Sequence, residues 1–318
     1  MRPFRFGLQA ARVTDPADWL DIARRAESAG YSCLMIPDHL GRLATFPALM
    51  AAAAVTERVK LAPYVLNQDF RPPSMLAWDA SSVHLLTGGR LELGLGAGWN
   101  IPEYTQSGIQ YDGPGVRVSR FDEYVQVVKG LLSASNPFSF EGQFFKLENF
   151  QPLPQPATGP APILIGGGSQ RILGTAGRLA DIISVSTRAT PDGRVDARNL
   201  TEPAVDQKIG WIREAAGARF SEIELNMTVR HLEVTNDRRA VARRLLDAWR
   251  RPGQPMANAE VLTEDDLLTS PHLAFGRVDE IAAQFEAQRE RWGFSYLQVS
   301  GSQFDDTAPV LERLVGRT

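Results

Sequence analysis

The sequence predicts an α/β fold, a single (β/α)8 TIM barrel with insertions at the carboxyl-terminal face of its strands. Short apolar runs typical of buried strands alternate with segments of helical periodicity along the chain. About eight such strand–helix pairs can be counted, and neither an internal repeat nor a linker divides them. A chain of 318 residues with 43% hydrophobic and 22% charged residues is long enough to form one large barrel.

The first half of the chain supplies four of the predicted strand–helix pairs. Asp15 is placed to cap the first helix, Pro16 fits its first turn, and Gly30 ends it. The predicted strands cover residues 4–10, 32–36, 59–66 and the first part of 90–100. The other predicted helices cover residues 47–56, 73–86 and 120–132, and Ser119 is expected to cap the last of them.

The second half continues the alternation. Predicted strands cover residues 163–165, 181–186, 223–234 and 295–299, and predicted helices cover residues 169–179, 202–216, 240–250, 279–291 and 305–314. Four segments are expected to be loop insertions in the single domain 1–318, namely 101–118, 136–160, 187–201 and 252–276. Within them, we predict a β-hairpin at 138–150, a mobile loop at 188–201 that includes Pro191 and Asp192, and a short lid segment at 256–269.

Composition and charge exclude several classes of function. A net charge of -3 gives no indication of nucleic acid or an anionic membrane as partner. The longest apolar run, residues 48–55, is far shorter than the roughly 20 residues of a membrane span. Without a signal-peptide core, a cytoplasmic location is expected. The single cysteine, Cys33, rules out an intrachain disulfide, and no spacing of ligand residues indicates a metal site.

Residues 90–100 combine a strand with a run of glycines. Gly94, Gly96 and Gly98 expose the backbone at the carboxyl-terminal end of the strand, just before Trp99 and Asn100. A flat ligand lying against the main chain would require such glycines, and so would a strand that bends to close the barrel. The glycines alone leave both explanations open.

This stretch resembles the fourth-strand signature of the bacterial-luciferase-like family of oxidoreductases. Further segments resemble that family in the same order along nearly the whole chain. These segments are residues 4–9, Ile36-Pro37-Asp38-His39, residues 59–72, residues 163–181, and Ser270-Pro271-His272 with Gly276 and Asp279-Glu280-Ile281. The resemblance implies a flavin-type ring bound at the carboxyl-terminal ends of the barrel strands.

The resemblance assigns the chemistry to the pair after the second strand. It makes His39 the expected general acid/base, while Asp38 is expected to contact the ring or to orient His39. An Asp-His pair by itself could equally be a helix cap beside a polar histidine, so the assignment rests on the strand-end position and the likeness.

Three further groups follow the next barrel strands. The resemblance implies a non-prolyl cis peptide at Tyr64–Val65 behind the central ring, although an aromatic that fills the barrel mouth would also explain Tyr64. An Asn can donate and accept, so the pyrimidine end of the ring is expected at Ala97, Gly98 and Asn100. The resemblance places the cofactor phosphate after the fifth strand, where a glycine turn precedes a helix, at Gly166, Gly167, Gly168 and Ser169.

One departure from the family concerns the substrate. Sugar-phosphate dehydrogenases of this fold carry a Glu directly after the last glycine and a Trp shortly after the Asp-His pair, whereas this chain has Trp99 and Leu43. The departure argues against a phosphorylated sugar and leaves the acid partner open. Glu103 is one candidate substitute for that acid, although an exposed Glu usually serves only solvation. His272 lies in a segment that the family keeps near the cofactor.

These features predict an oxidoreductase that transfers a hydride between the deazaflavin coenzyme F420 and a small organic substrate. The alternatives are a monooxygenase that uses reduced FMN and O₂, and a barrel that binds a flavin without catalysis. The acid/base pair at residues 38–39 argues against a passive flavin carrier. The substrate pocket is expected from residues 104–116 and 188–200, and relatives lead us to expect a homodimer.

Overall fold

Nine parallel strands form one sheet that closes on itself in a computed structural model, which describes residues 1–10, 13, 15–190, 193–254 and 256–315. The strand order is β3-β2-β1-β15-β11-β9-β8-β5-β4. A parallel bridge between Leu61 and Leu91 joins the two ends of this order. β3 and β4 are the two parts of one barrel strand that is interrupted at Tyr64–Val65, so the sheet is an eight-stranded barrel and the predicted fold class is confirmed.

The strands are short, as is typical of barrels. They are β1 (Arg5–Gln9), β2 (Cys33–Ile36), β3 (Lys60–Pro63), β4 (Leu66–Asn67), β5 (Leu93–Gly96), β6 (Phe138–Glu141), β7 (Lys146–Phe150), β8 (Ile163–Gly167), β9 (Ile182–Val185), β10 (Val195–Asp196), β11 (Glu224–Thr228), β12 (His231–Val234), β13 (Met256–Ala257), β14 (Leu273–Gly276) and β15 (Phe294–Ser300). The pairs β10–β13 and β12–β14 are parallel and lie outside the barrel, while β6 and β7 form the predicted antiparallel hairpin.

Helices surround the barrel. They are α1 (Pro16–Ser28), α2 (Thr45–Ala53), α3 (Pro73–Leu86), α4 (Ile101–Ser107), α5 (Pro114–Ser133), α6 (Gln170–Leu179), α7 (Glu202–Ala216), α8 (Arg238–Trp249), α9 (Glu264–Thr269), α10 (Val278–Trp292) and α11 (Phe304–Leu314). The Asp15 side chain accepts a hydrogen bond from the Ala17 N–H at 2.8 Å, and Pro16 starts α1, as predicted. Among the described residues, no helix combines the length and hydropathy that crossing a membrane would require.

The expected loop at residues 101–118 is mostly helical, so that prediction was wrong. Pro102 lies in the first turn of α4, and Gly108 ends that helix in the left-handed conformation at φ 70°. Pro114 starts α5, and Ser119 therefore lies inside this helix instead of capping it. A proline fits the first turn because its missing N–H has no partner there, and these two prolines were the overlooked signal.

Two more segments differ from the prediction. Residues 223–234 form two strands, because the barrel strand β11 ends at Thr228 and β12 pairs outside the barrel with β14. The expected mobile loop at 188–201 contains β10 and a 3₁₀ helix at Ala197–Leu200, while Pro191 and Asp192 lie outside the described residues. The expected lid at 256–269 contains β13 and α9.

The barrel interior holds a buried ion network at the amino-terminal ends of its strands. Arg5 donates to Glu92 at 2.6 Å and to both carboxylate oxygens of Glu224 at 2.5 and 2.8 Å. The Tyr296 hydroxyl donates to the second oxygen of Glu92 at 3.1 Å. Glu92 is only 1% exposed and directly precedes β5, so this network joins β5 to β1, β11 and β15 at the end opposite to the candidate site.

Candidate active site

A cavity of about 580 Å³ opens at the carboxyl-terminal ends of the barrel strands. Its volume lies in the range of pockets that enclose small-molecule ligands. Every predicted site residue lines it, namely Asp38, His39, Tyr64, Val65, Ala97, Gly98, Asn100, Gly166, Gly167, Gly168 and Ser169. Residues separated by as many as 131 positions in the sequence are thus brought to one site, because parallel strands all end at the same rim.

His39 lies in the cavity wall and is held by a carboxylate. Its Nδ1 is 2.8 Å from Oε1 of Glu103, which also accepts from the Leu40 N–H at 3.2 Å. Glu103 is 7% exposed and lies in α4, the helix that the sequence did not predict. Because the Nδ1–H donates to the carboxylate, Nε2 is the ring atom left to exchange a proton in the cavity. The Trp99 ring approaches the imidazole edge-on, with centroids 6.0 Å apart.

The expectation that Asp38 orients His39 is wrong. The Asp38 carboxylate accepts two hydrogen bonds from Arg71, at 2.8 and 3.0 Å. It also accepts from the Thr45 hydroxyl at 3.0 Å and from the Asn67 N–H at 3.1 Å. Both oxygens are therefore fully engaged, and Asp38 holds together the ends of two barrel strands while Glu103 orients the imidazole.

The Tyr64–Val65 peptide bond is cis, as the resemblance implied. The Tyr64 side chain enters the barrel, where its hydroxyl bonds Ser184, Asn226 at 3.1 Å and Thr228 at 3.0 Å. Burial raises the pKa of this phenol, so the hydroxyl stays neutral and fixes the strand end from inside. The side chain of Val65 faces the cavity.

The glycines of residues 90–100 are required by neighbouring protein atoms. A Cβ at Gly94 would lie 2.1 Å from the Pro63 carbonyl oxygen, and one at Gly96 would lie 2.6 Å from a methyl group of Val65. Gly98 has φ 73°, and a Cβ there would meet the Tyr104 hydroxyl at 1.9 Å. Of the two explanations left open by the sequence, close packing inside the barrel accounts for Gly94, which does not line the cavity.

The glycine turn after β8 lies against the next strand end. A Cβ at Gly168 would lie 2.6 Å from the Ser186 carbonyl oxygen and 2.9 Å from the Arg188 nitrogen. Ser169 occupies the N-cap position of α6, but no side chain caps this helix. Within the described part of the chain, the first N–H groups of this ten-residue helix can therefore donate to a ligand oxyanion at the cavity wall.

Several cavity residues were not predicted. A polar group of them lies in or directly after β9 and β11, namely Ser184, Ser186, Thr187, Thr228 and Arg230. The prediction of one continuous strand over 223–234 hid the end of β11, although polar residues directly after a barrel strand are the usual signal. From the expected substrate pocket, Arg188, Ala189, Gly193 and Val195 line the cavity, whereas Tyr104 is buried beneath it.

The other histidines lie outside the cavity lining. His272 is fully buried, and its Nδ1 is 2.9 Å from the Thr228 carbonyl oxygen. Burial, reinforced by Lys208, lowers the pKa of His272 to about 3, so this imidazole is neutral. His84 is buried in α3, and His231 pairs with Glu233 at 2.9 Å.

A family model for the luciferase-like monooxygenases matches residues 2–296. The chain belongs to this family. The match covers the barrel from β1 to the start of β15.

Two relatives illustrate the range of the luciferase-like family. An uncharacterized protein of Mycobacterium tuberculosis is 31% identical over 193 residues, which are 53% of this chain and 65% of the relative. An F420-dependent glucose-6-phosphate dehydrogenase of Nakamurella multipartita is 29% identical over 249 residues, which are 75% of this chain and 70% of the relative. The chain thus spans slightly less than two thirds of the mycobacterial relative.

Solved structures support the fold. An F420-dependent secondary alcohol dehydrogenase, in complex with an F420-acetone adduct, superposes with a TM-score of 0.75 at 18% identity, covering 99% of this chain and 98% of that one. An EDTA monooxygenase from a Chelativorans species gives the same TM-score at 16% identity, covering 98% and 94%. Enzymes named for two different reactions match this luciferase-like barrel equally well, so the fold does not distinguish between them.

Proposed function

We propose that this chain transfers a hydride between the deazaflavin coenzyme F420 and a small organic substrate. The observation that carries the proposal is the pairing of His39 with Glu103 in the wall of a ligand-sized cavity, at 2.8 Å. Across this cavity, the free N–H groups at the start of α6 suit the phosphate of a nucleotide-like cofactor. The compact length of the chain and its run of Ser270-Pro271-His272, Gly276 and Asp279-Glu280-Ile281 resemble the deazaflavin branch of the family.

The residues of the chain fit such a cofactor. Val65 offers an apolar support for a flat ring, Asn100 offers a donor and an acceptor for its pyrimidine end, and the turn at 166–169 offers N–H donors for its phosphate. A bound deazaflavin supplies the two-electron hydride chemistry. The cavity walls limit access of water to the reacting atoms, and Asp38 keeps the strand ends in register through Arg71.

The proton is handled by His39. Glu103 accepts the Nδ1–H and so fixes the orientation of the ring, which leaves Nε2 to give a proton to, or take one from, a substrate oxygen in the cavity. The buried carboxylate also stabilises the imidazolium that forms when Nε2 accepts a proton. This arrangement suits oxidation of an alcohol to a carbonyl compound, or the reverse reduction.

Titration with cofactors tests the proposal. Oxidised F420 and FMN are added separately to the purified protein, and binding is followed by cofactor fluorescence and absorbance. We expect F420 to bind with the higher affinity. Tight binding of FMN without binding of F420 would refute the deazaflavin proposal.

Replacement of His39 tests its role. His39→Ala is expected to slow turnover about 10²–10⁴-fold, the usual contribution of a positioned general acid or base, with nearly unchanged cofactor affinity. His84→Ala is not a suitable control because His84 is buried in α3, so His231→Ala, at a half-buried site outside the cavity, is the matched control. Lost cofactor binding with intact turnover would contradict this role.

The second candidate is an FMN-dependent monooxygenase that uses O₂, and the description of the family favours it. The two candidates differ in oxygen consumption. Turnover of a substrate under strict anaerobiosis with F420 supports the first, and O₂ uptake with reduced FMN supports the second. The third alternative, a non-catalytic flavin-binding barrel, predicts cofactor binding without any effect of a His39 replacement.

We also propose that residues 1–318 act as one domain, that the protein works in the cytoplasm, and that it forms a homodimer. The homodimer is supported by a stripe of apolar side chains on α3. Trp78 is 54% exposed and Leu86 is 73% exposed, and Met75 and Leu85 extend the same face. Size-exclusion chromatography coupled to light scattering measures the molar mass in solution, and a mass of 35.0 kDa, that of one chain, would refute the dimer.

A further inference from the structure

Two positively charged side chains, Arg230 and Lys208, bond to neighbouring residues of one cavity wall. Arg230 follows β11 and lines the cavity, and its Nη2 donates to the Thr187 hydroxyl. The Arg230 Nε is buried and has no partner among the described residues. Lys208, on α7, is 2% exposed, and its Nζ donates to the Ser186 carbonyl oxygen at 3.0 Å. The chain therefore places two positive charges behind residues 186–187.

These charges are not neutralised by the described residues. Neither Arg230 nor Lys208 forms an ion pair within the part of the chain that the structure describes. The charge of the Asp196 carboxylate raises the pKa of Lys208, but this carboxylate is already bonded to Arg198 at 2.7 and 2.9 Å and to Asn258 at 3.0 Å. Burial lowers the pKa of both Arg230 and Lys208, which is the sign of cations that lack an anionic partner.

Arg230 lies on the side of the barrel opposite to Val65, the residue proposed to support the cofactor ring. In the closed barrel, β11 is four strands away from the strand that contains Tyr64–Val65, so the two lie on opposite sides. A flat ring held against Val65 would leave its other face open towards the side of the cavity formed by Arg230 and Thr187. The substrate of a hydride transfer has to lie on such an open face.

We propose that Arg230, with Thr187 beside it and Lys208 behind it, binds an oxyanion carried by the substrate, such as a carboxylate. A guanidinium with free N–H groups suits the planar geometry of a carboxylate, and partial burial strengthens the attraction. The binding site follows from the geometry of the chain, whereas its assignment to the substrate rests on the proposed function. The proposal narrows the substrates to small organic compounds that carry an oxyanion such as a carboxylate.

A pair of probes of equal shape tests the site. Benzoate and benzamide differ in charge, and their dissociation constants are measured by calorimetry with the protein alone and again after saturation with cofactor. We expect benzoate to bind more tightly than benzamide. Arg230→Gln is expected to raise the dissociation constant of benzoate about tenfold or more, because a hydrogen bond to a charged group is lost, and to change that of benzamide little.

The control is Arg171→Gln. Arg171 is an exposed arginine in the first turn of α6, so the variant changes the net charge equally without altering the cavity lining. Arg230→Lys keeps the charge and is expected to retain part of the benzoate preference. If Arg230→Gln fails to fold, as judged by circular dichroism, Thr187→Val and Arg230→Lys carry the comparison. Equal affinity for both probes in the native protein, or an unchanged preference in Arg230→Gln or in Thr187→Val, would overturn the site, whereas Arg171→Gln should keep the native preference.

A second arm separates the substrate from the cofactor. The affinities for FMN and riboflavin, which differ by a phosphate, are compared in the native protein and in Arg230→Gln. We expect the variant to leave the difference between them unchanged. A loss confined to FMN would show that Arg230 binds the cofactor phosphate and would overturn the substrate assignment. Failure of the native protein to bind any flavin or deazaflavin would refute the proposed function, while the benzoate result would still stand by itself.

Discussion

Replacement of Asp38 by Asn separates a structural role from a chemical one. In the native chain this carboxylate is 9% exposed and accepts four hydrogen bonds, two of them from Arg71. The Asn side chain is of the same size, but its NH₂ group must face one of these donors, and the guanidinium loses its counter-ion. The substitution therefore tests whether the carboxylate holds two strand ends together.

The expected loss of stability follows from burial. Breaking a fully buried ion pair costs about 3–5 kcal/mol. The Arg71 side chain is 26% exposed and can recover part of its hydration, so we expect Asp38→Asn to lower the free energy of unfolding by about 2–4 kcal/mol. For a chain of this size the loss corresponds to a decrease of about 1 M in the urea midpoint.

A double-mutant cycle isolates the pair. Asp38→Asn, Arg71→Gln and the double variant are unfolded in urea with tryptophan fluorescence as the signal, and we expect a coupling energy of about 1.5–3 kcal/mol. Asp21→Asn is the control, because Asp21 is 62% exposed and lies 3.8 Å from Arg25. That variant should change stability by less than about 0.5 kcal/mol. A stable Asp38→Asn protein whose turnover falls a hundredfold would refute the structural role.

Two further predictions concern buried charges at other places. Arg5→Met leaves Glu92 uncompensated, so we expect a loss of about 3–5 kcal/mol in urea unfolding, against less than about 1 kcal/mol for Arg25→Met at the surface. Burial and the charge of Arg230 lower the pKa of Lys208 from 10.5 to about 8. Between pH 8 and 10.5 the unfolded chain therefore binds more protons than the folded chain. Over this interval the free energy of unfolding of the native protein should rise by up to about 3 kcal/mol relative to that of Lys208→Met. If the difference in the free energy of unfolding between the two proteins did not change with pH across this interval, the burial of a charged lysine would be contradicted.

The positions of most strands and helices could be predicted, because their signals are local. Asp15, Pro16 and Gly30 mark the ends of α1, and the apolar runs mark the barrel strands. The errors have local causes as well. α4 was missed although Pro102 and Gly108 bound it, and the end of β11 was missed because the apolar pattern continues into β12. The apolar pattern of a strand outside the barrel, such as β12, does not differ from that of a barrel strand.

The candidate site could be predicted only as a set of strand ends. The sequence places Asp38 and His39 side by side, and adjacency made a pair between them the natural expectation. In the folded chain the two side chains point to different partners, since one bonds Arg71 and the other bonds Glu103, 64 residues further along. Neighbours in sequence on an extended backbone project in opposite directions, so a contact between them is not the default.

The sequence by itself determined the class of the molecule, namely an α/β barrel of the luciferase-like family with a histidine and a glycine turn at strand ends. These features depend on residue type and order, which are written in the chain. Only the tertiary structure decided which charges meet. It paired Glu103 with His39 and engaged Asp38 with Arg71, and within the described part of the chain it left Arg230 and Lys208 without an ion pair. The physical reason is that electrostatic partners depend on distance and burial, and both are set when the barrel closes.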